Sequence, residues 1–518
     1  MNTNRQILNN IVDNIAVSSK KYEDAKNRYI SLSDWLNRSE SLIKDAKLHI
    51  YTHGSFALGT AINPISGEEY DLDIMCGLQN HDALSITQSD LKQKVGNEVI
   101  SYTKAHGMEY PENKTRAWTI NYSEKSQFHI DILPSIPSGN GDIVFIPYKD
   151  SAVYHQIFSP WDKSSNPKGY VEWFKSISKE NYKAKLEKYA IENRTQIESV
   201  PKYVVKSTLQ EIVMLLKRHR DVFFDNLNTD NINDSMIKKE KVSSIIITTL
   251  AGMAYRQESD TTEAFINVVD RIEDNILVQD SADYIHFRYN ENFQIGNRLF
   301  KIVNPSNPDE EFTDKWRENP YKKMAFFAWL KELKADVINL KKLIYGQTSK
   351  VSIIYKMFGD NIKSSFYDFL TEDINKNEPL YLEKPEYKKY ITGNAKINGY
   401  CSNSNLENVE THNLCRYKIE SNEPLDKYKH LLFVANTNIS QPYEVIWQIS
   451  NKGRESVVND QIRGELSKSE TCRKNFNFRY QKREETRYVG THWVKCFIIK
   501  NGFIVAESEK FYVKVVNK

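Results

Sequence analysis

The chain has 518 residues, of which 40% are apolar and 27% charged, and a net charge of +3. That length exceeds what one hydrophobic core usually supports, so two domains with a helical subdomain are expected, and the composition excludes a disordered chain. The small charge excludes wholesale coating of nucleic acid, and the absence of a run of roughly 18 uncharged apolar residues excludes a membrane span or membrane partner.

The first residues, Met1 to Asn9, lack the basic and apolar regions of a signal peptide, which makes a cytoplasmic protein the expectation. Five scattered cysteines (Cys76, Cys401, Cys415, Cys472, Cys496) read as reduced thiols rather than a disulfide framework. Cys401, His412 and Cys415 lack a fourth ligand and read as an ordinary loop rather than a metal knuckle.

In chain order, apolar residues first recur at helical spacing: Ile7, Ile11 and Ile15, then Tyr22, Ala25, Tyr29, Leu32 and Leu36. From His49 to about Leu78 the pattern becomes short apolar runs broken by Gly-Ser, Asn-Pro and Ser-Gly, which predicts strands and turns. A further strand is predicted over Phe128 to Leu133, ending at Pro134. Helical periodicity returns over Lys206 to Phe224, Val242 to Tyr255 and Tyr321 to Tyr345. A polar stretch over 372–411 predicts a linker. Beyond it, alternation over His430 to Ala435, Tyr443 to Ile449, Trp493 to Lys500, Phe503 to Ala506 and Phe511 to Val516 predicts an all-β sandwich over 412–518. Lys500-Asn501-Gly502 between two of these runs is a strong hairpin signal, because Asn-Gly readily adopts the positive backbone angles of a type I′ turn.

Chemistry concentrates in one constellation. Gly54-Ser55 is followed sixteen residues after the serine by Asp71-Leu72-Asp73, and later by Asp131 within Phe128-His129-Ile130-Asp131-Ile132-Leu133. Side chains alternate along a strand, so Asp71 and Asp73 share a face while Leu72 and Ile74 can bury on the other. If the Asp131 strand pairs alongside, three carboxylates form a hard-oxygen site suited to magnesium held together with substrate phosphates. A divalent cation compensates their mutual repulsion, and two metals about 4 Å apart support in-line displacement at a phosphate. Glycine permits close backbone approach to phosphate, and the serine hydroxyl can donate to it.

His53-Gly54-Ser55-Phe56 with Asp71-Leu72-Asp73 resembles the signature of the polymerase-β-like nucleotidyltransferases, and more specifically the bacterial relatives of cyclic GMP-AMP synthase, the cyclic-oligonucleotide synthases of anti-phage signalling. Leu215-Leu216-Lys217-Arg218-His219-Arg220-Asp221 is similar to the family helix that carries a triphosphate-binding lysine, here Lys217. Ser243-Ser244-Ile245-Ile246 and the stretch from Val303 through Trp316 look familial too. Segments between Leu431 and Val515, among them Tyr443-Glu444-Val445-Ile446-Trp447 and Tyr488-Val489-Gly490-Thr491-His492-Trp493-Val494, resemble the C-terminal sensor domain attached to nucleotide cyclases and such synthases. His53 stands where the family often has glutamine.

The resemblance, which spans roughly residues 1–345, implies an α+β nucleotidyltransferase; with the boundary set by the polar stretch, its core is expected over 1–371, with a sheet core about 49–205 and a helical half about 206–349, followed by the β-sandwich sensor. It implies that Asp71, Asp73 and Asp131 hold Mg2+, with Mn2+ as a substitute, and that Gly54, Ser55 and Lys217 secure the triphosphate. For Ser244, nucleotide contact and helix packing explain the residue equally well. Trp447, Trp493 and His492 read as structural. The implied reaction is attack of a ribose hydroxyl on the α-phosphate of a nucleoside triphosphate, giving a cyclic oligonucleotide for a downstream effector, with an activating ligand or protein at the sensor. A template-independent polymerase making linear chains, possibly of DNA, shares the chemistry and stays open, as does a non-catalytic nucleotide-binding protein that retains the fold.

Overall fold

The computed structural model describes residues 3–517 except 66–69, 123–127, 202, 277, 280–284, 287–294, 297–298, 346, 349, 364–365, 368, 371–381, 404–415, 452 and 470–479. Chain contacts divide it into two units: Ile11–Val337 with Met357–Gly359, and Ile338–Lys356 and Asp360–Lys518 with Met1–Asn10. One division by contacts falls after Val337. It lies inside one helix, Pro320–Ile344, whose buried positions Leu330, Leu333, Val337 and Leu340 continue the same periodicity across it, so the sequence carries no mark there.

The first unit is built on a mixed sheet of β1 (Leu48–His53), β2 (Tyr70–Leu78), β3 (Glu112–Asn113), β4 (Trp118–Asn121) and β5 (Phe128–Pro137), in the order β1-β2-β5-β4-β3. β2 and β5 run parallel and the other neighbours antiparallel. Tyr70, Leu72 and Ile74 of β2 and Phe128, Ile130 and Ile132 of β5 are buried in a core shared with α2 (Ser19–Leu36) and α4 (Gln88–Ala105), which follow α1 (Thr3–Ile15) and α3 (Gly54–Leu58) in this numbering. Each such side chain contributes about 1.5–3 kcal/mol on leaving water. The alternate residues Asp71, Asp73, His129 and Asp131 contribute none of this apolar burial.

Two local expectations are corrected. The Gly-Ser turn is a short helix, α3, opened by Gly54 at φ +62 and closed by Gly59 at φ +69. β5 runs on through Pro134 to Pro137; Pro134 falls between the ladder to β4, which ends at Ile132, and the ladder to Val144–Phe145, which begins at Ile136, so a residue without an N–H is tolerated there.

The helical part comprises α5 (Pro167–Ile177), α6 (Lys179–Glu192), α7 (Thr208–Asp225), α8 (Ile232–Lys238), α9 (Ser244–Ala254), α10 (Thr261–Ile276) and α11 (Pro320–Ile344). α7 starts with a capping box, Ser207 and Gln210 satisfying each other's backbone N–H, and its buried stripe includes Leu209, Ile212, Val213 and Leu216.

The C-terminal unit pairs a sheet containing Glu444–Ser450, Gly490–Lys500, Phe503–Glu507 and Phe511–Val516 with one made of Ala395–Ser402, Arg416–Ile419, His430–Thr437 and Gln481–Glu485. Both contribute to one core, including Ile397, Phe433, Trp447, Val494 and Phe511, which makes it a sandwich. Asn501 and Gly502 both have positive φ, 53° and 76°, as the hairpin between Lys500 and Phe503 requires. The strand Ala395–Ser402 lies within the stretch expected to be linker; its Lys, Asn and Gly residues hide the alternation that buries Ile397, Gly399 and Cys401. Trp447 and Trp493 are core residues as expected, and His492 bonds the Tyr488 carbonyl at 2.8 Å. Cys76, Cys401 and Cys496 are buried free thiols, while His412, Cys415 and Cys472 lie outside the described residues. No helix among the described residues is long and apolar enough to cross a membrane.

Candidate active site

The β2–β5 register sets Asp73 directly beside Asp131 and Asp71 beside His129, so all three carboxylates stand on the sheet face opposite the core. His129 Nε2 lies 3.0 Å from Asp71 Oδ1, and this bond raises the imidazole pKa to about 9. Asp131 Oδ1 accepts from Thr119 Oγ1 of β4 and lies 3.5 Å from Lys114 Nζ. Asp73 has the least compensation: desolvation, then the charges of Asp71 and Asp131, push its carboxyl up to about 7.

Gly54 is held against that carboxylate. A Cβ at Gly54 would stand 1.9 Å from Asp73 Oδ2, so the cradle exists only because the residue is glycine. The far end of α3 is fastened to α7, where Gln210 Nε2 donates to the Leu58 carbonyl at 2.7 Å. Two turns further along α7, Lys217 is buried and donates to the Thr60 carbonyl at 3.0 Å. Desolvation, with Arg220 beside it, lowers its pKa to about 8, against the pull of Asp221, Asp71 and Asp73. A solvated surface lysine would show none of this.

Gly54, Ser55, Asp71, Asp73, Lys217 and Ser244 line one cleft of 540 Å³. Asp131 lines an adjoining cavity of 900 Å³, and the two share Lys241, Val242, Ser243 and Ile245. Ser244, the first residue of α9, is held by Arg220 Nη1 at 3.0 Å, while Arg220 and Lys241 both pair with Asp221. Sequence reasoning assigned no role to His129, Thr119, Lys114 or Lys241: each acts through a partner distant in the chain, and no local pattern marks it. Arg220 and Asp221 lay inside the quoted α7 motif without a function.

Among the described residues no three His, Cys, Asp or Glu side chains already form a metal cage. The donor set nevertheless fits magnesium, which takes hard oxygens and completes its shell with water and substrate phosphate. Asp73, buried and crowded by two carboxylates whose effect His129 and Lys217 offset only in part, is where a divalent charge has most to offset. A consequence follows for stability. The folded pKa of Asp73 lies above its unfolded value, so the metal-free protein loses stability as pH rises from about 4 to about 7. Mg2+ should raise the melting temperature most above pH 7, and Asp73→Asn should flatten the pH dependence; equal Mg2+ stabilisation at pH 5 and pH 8 would contradict this.

Comparison with known proteins bears on the same regions. Residues 1–185 match the Second Messenger Oligonucleotide or Dinucleotide Synthetase (SMODS) domain, and residues 378–516 the Adenylyl/Guanylyl and SMODS C-terminal sensor domain. A protein of Roseivirga ehrenbergii named c-di-GMP synthase is 26% identical over 351 residues, 67% of this chain and 82% of that one. The Bradyrhizobium diazoefficiens CD-NTase CdnG, solved in complex with GTP, superposes with a TM-score of 0.52 at 19% identity, covering 70% of this chain and 97% of its own. Escherichia coli MS115-1 CdnC with ATP has a TM-score of 0.45 at 15% identity, covering 70% of this chain and 98% of its own. Over residues 1–185 the chain carries the synthetase domain of the second messenger oligonucleotide or dinucleotide synthetases, a nucleotidyltransferase domain, and over residues 378–516 the sensor domain that accompanies it.

Proposed function

We propose that the protein condenses nucleoside triphosphates into a short cyclic oligonucleotide, releasing pyrophosphate at each step. The observation that carries this reading is the adjacency of Asp73 and Asp131 across one ladder, between a cleft lined by Gly54, Ser55 and Lys217 and a second, larger cavity. One cavity suits a donor triphosphate and the other the nucleotide that supplies the attacking hydroxyl. The Roseivirga relative's name and the GTP bound to the Bradyrhizobium protein make GTP the first substrate to try.

Asp71 and Asp73 would hold two Mg2+ or Mn2+ ions and Asp131 the one next to the attacking hydroxyl. When bound, such ions lower the pKa of that hydroxyl and offset charge on the departing pyrophosphate. Asp131 accepts the hydroxyl proton, and Thr119 and Lys114 keep its carboxylate aimed. Gly54 allows the phosphates to approach the backbone, Ser55 donates to them, and Lys217 places a positive charge beside the leaving group. Arg220, itself fixed by Asp221, keeps Ser244 and the start of α9 in the cleft wall. The product acts on a downstream effector, and the sensor domain receives the activating ligand or protein.

Each α-labelled triphosphate, alone and in pairs with Mg2+, tests the reading by chromatography after phosphatase treatment. A phosphatase-resistant labelled product is expected. No incorporation from any triphosphate would remove the enzymatic reading, and a phosphatase-sensitive ladder would replace cyclisation with linear polymerisation. Lys217→Ala should raise the triphosphate KM by about ten- to a hundredfold while leaving residual turnover, because one charged contact is lost and the carboxylates remain. A loss of thermal stability with unchanged KM would return Lys217 to a purely structural role.

A further inference from the structure

The 900 Å³ cavity contains a cationic cluster that the reading above does not use. Arg116, Lys163 and Lys315, from three separate stretches of chain, all line it, and all three direct their charged groups at the ring of Tyr148, at 5.4, 5.4 and 5.9 Å from its centroid. Lys163 is neutralised by Asp314 at 2.8 Å. Among the described residues no carboxylate lies within ion-pairing distance of the Arg116 or Lys315 side chain.

Glu310 and Asp314 lie in the field of Arg116 without a close ion pair to it, and several acids of the same wall have other partners. Glu310 accepts from Ser165 and Asn304, Glu240 from Asn319 and Lys322, Glu311 from Arg317, and Asp162 from Gln88. Burial, then the charges of Asp150 and Glu318, raise the pKa of the Tyr148 hydroxyl against the pull of Lys163 and Arg116. An aromatic face stabilises a partly exposed cation by about 0.5–1 kcal/mol. That is too little to explain gathering three cations on one ring, with Lys163 alone of the three in a close ion pair among the described residues, in the cavity that Asp131 borders. A bound polyanion would explain it.

We propose that Arg116, Lys163 and Lys315 bind the polyphosphate tail of the acceptor nucleotide, the one whose hydroxyl attacks; this rests on the nucleotidyl-transfer reading. In that step the hydroxyl oxygen bonds to the donor α-phosphorus, the α–β bridging bond breaks, pyrophosphate leaves, and the proton passes to Asp131. The donor thus loses its outer phosphates while the acceptor keeps its own. Two tails must therefore be held apart, one against Lys217 and one elsewhere. The guanidinium of Arg116 suits a phosphate bidentately, and Lys315, exposed at the rim, suits the end of the tail as a mobile point charge.

The test uses the full-length protein with Mg2+, 2′,3′-dideoxy-GTP as a donor that cannot accept, and GTP, GMP or guanosine as acceptor. The wild type should show an acceptor KM for GTP about tenfold or more below that for GMP. Arg116→Ala and Lys315→Ala should each raise the GTP value about tenfold, the double variant should bring the GMP-to-GTP ratio close to one, and Arg116→Lys should recover part of the loss. Lys315 is exposed, so its replacement places no demand on folding. The proposal is overturned if the wild type does not distinguish GTP from GMP as acceptor, or if the variants raise both KM values equally. If the wild type transfers nothing to any acceptor, the functional reading fails, and calorimetry with tripolyphosphate decides the anion site. Loss of one of two binding events in the double variant supports it, and an unchanged titration contradicts it.

Discussion

Asp73→Asn is expected to reduce product formation by about a thousandfold or more, the scale associated with removing a preorganised charge from a reacting centre, while the protein stays folded. Asparagine preserves shape and packing but not the charge that a divalent cation needs. Asp73 stands on the sheet face away from the core, so the buried residues Leu72 and Ile74 on either side keep their environment. Without metal the variant should be at least as stable as wild type at pH 8, because the ionised carboxylate crowded by Asp71 and Asp131 is gone. Labelled-triphosphate turnover and thermal melting check the two halves separately. Near-normal turnover, or full wild-type activity in excess chelator, would sink the metal assignment.

Gly54→Ala should be almost as damaging, for a different reason. The residue sits at φ +62, where an L side chain costs about 1–2 kcal/mol, and its Cβ would fall 1.9 Å from Asp73 Oδ2. Backbone strain of that size leaves the protein folded. The clash is relieved at the flexible end of Asp73, which must rotate away from Asp71 and Asp131, so the loss appears in kcat rather than in melting temperature. A variant with wild-type kcat would mean that the position of the Asp73 carboxylate does not govern the reaction.

How much of this was legible depended on whether the signal was local. Asp71-Leu72-Asp73 with alternating apolar neighbours marks a strand with a polar face in the sequence alone, and Asn501-Gly502 marks its hairpin, because a few adjacent residues decide each. Lys217 is legible only as a motif; its burial and its bond to the Thr60 carbonyl depend on α3 and α7 meeting across 157 residues. The strand Ala395–Ser402 was missed because sheet pairing with His430–Thr437 outweighs the weak strand preference of Lys396, Asn398 and Gly399. Nor could periodicity separate the two units, because α11 carries one continuous apolar stripe across the division. The cluster around Tyr148 draws on residues 116, 163 and 315, and nothing in any of the three stretches announces the others.

The central claim, magnesium-dependent joining of triphosphates into a closed ring, is tested most directly by the mass of the product formed from GTP, or from another triphosphate that the labelled assay shows to be consumed. A ring has no terminal phosphates and no free ends, so its mass should equal a whole number of nucleoside monophosphates each less one water, and it should appear only with Mg2+ or Mn2+ and disappear in Asp73→Asn. Products that keep a 5′-triphosphate and grow by one nucleotide at a time, or a product that forms equally well in the Asp73→Asn protein, would contradict it.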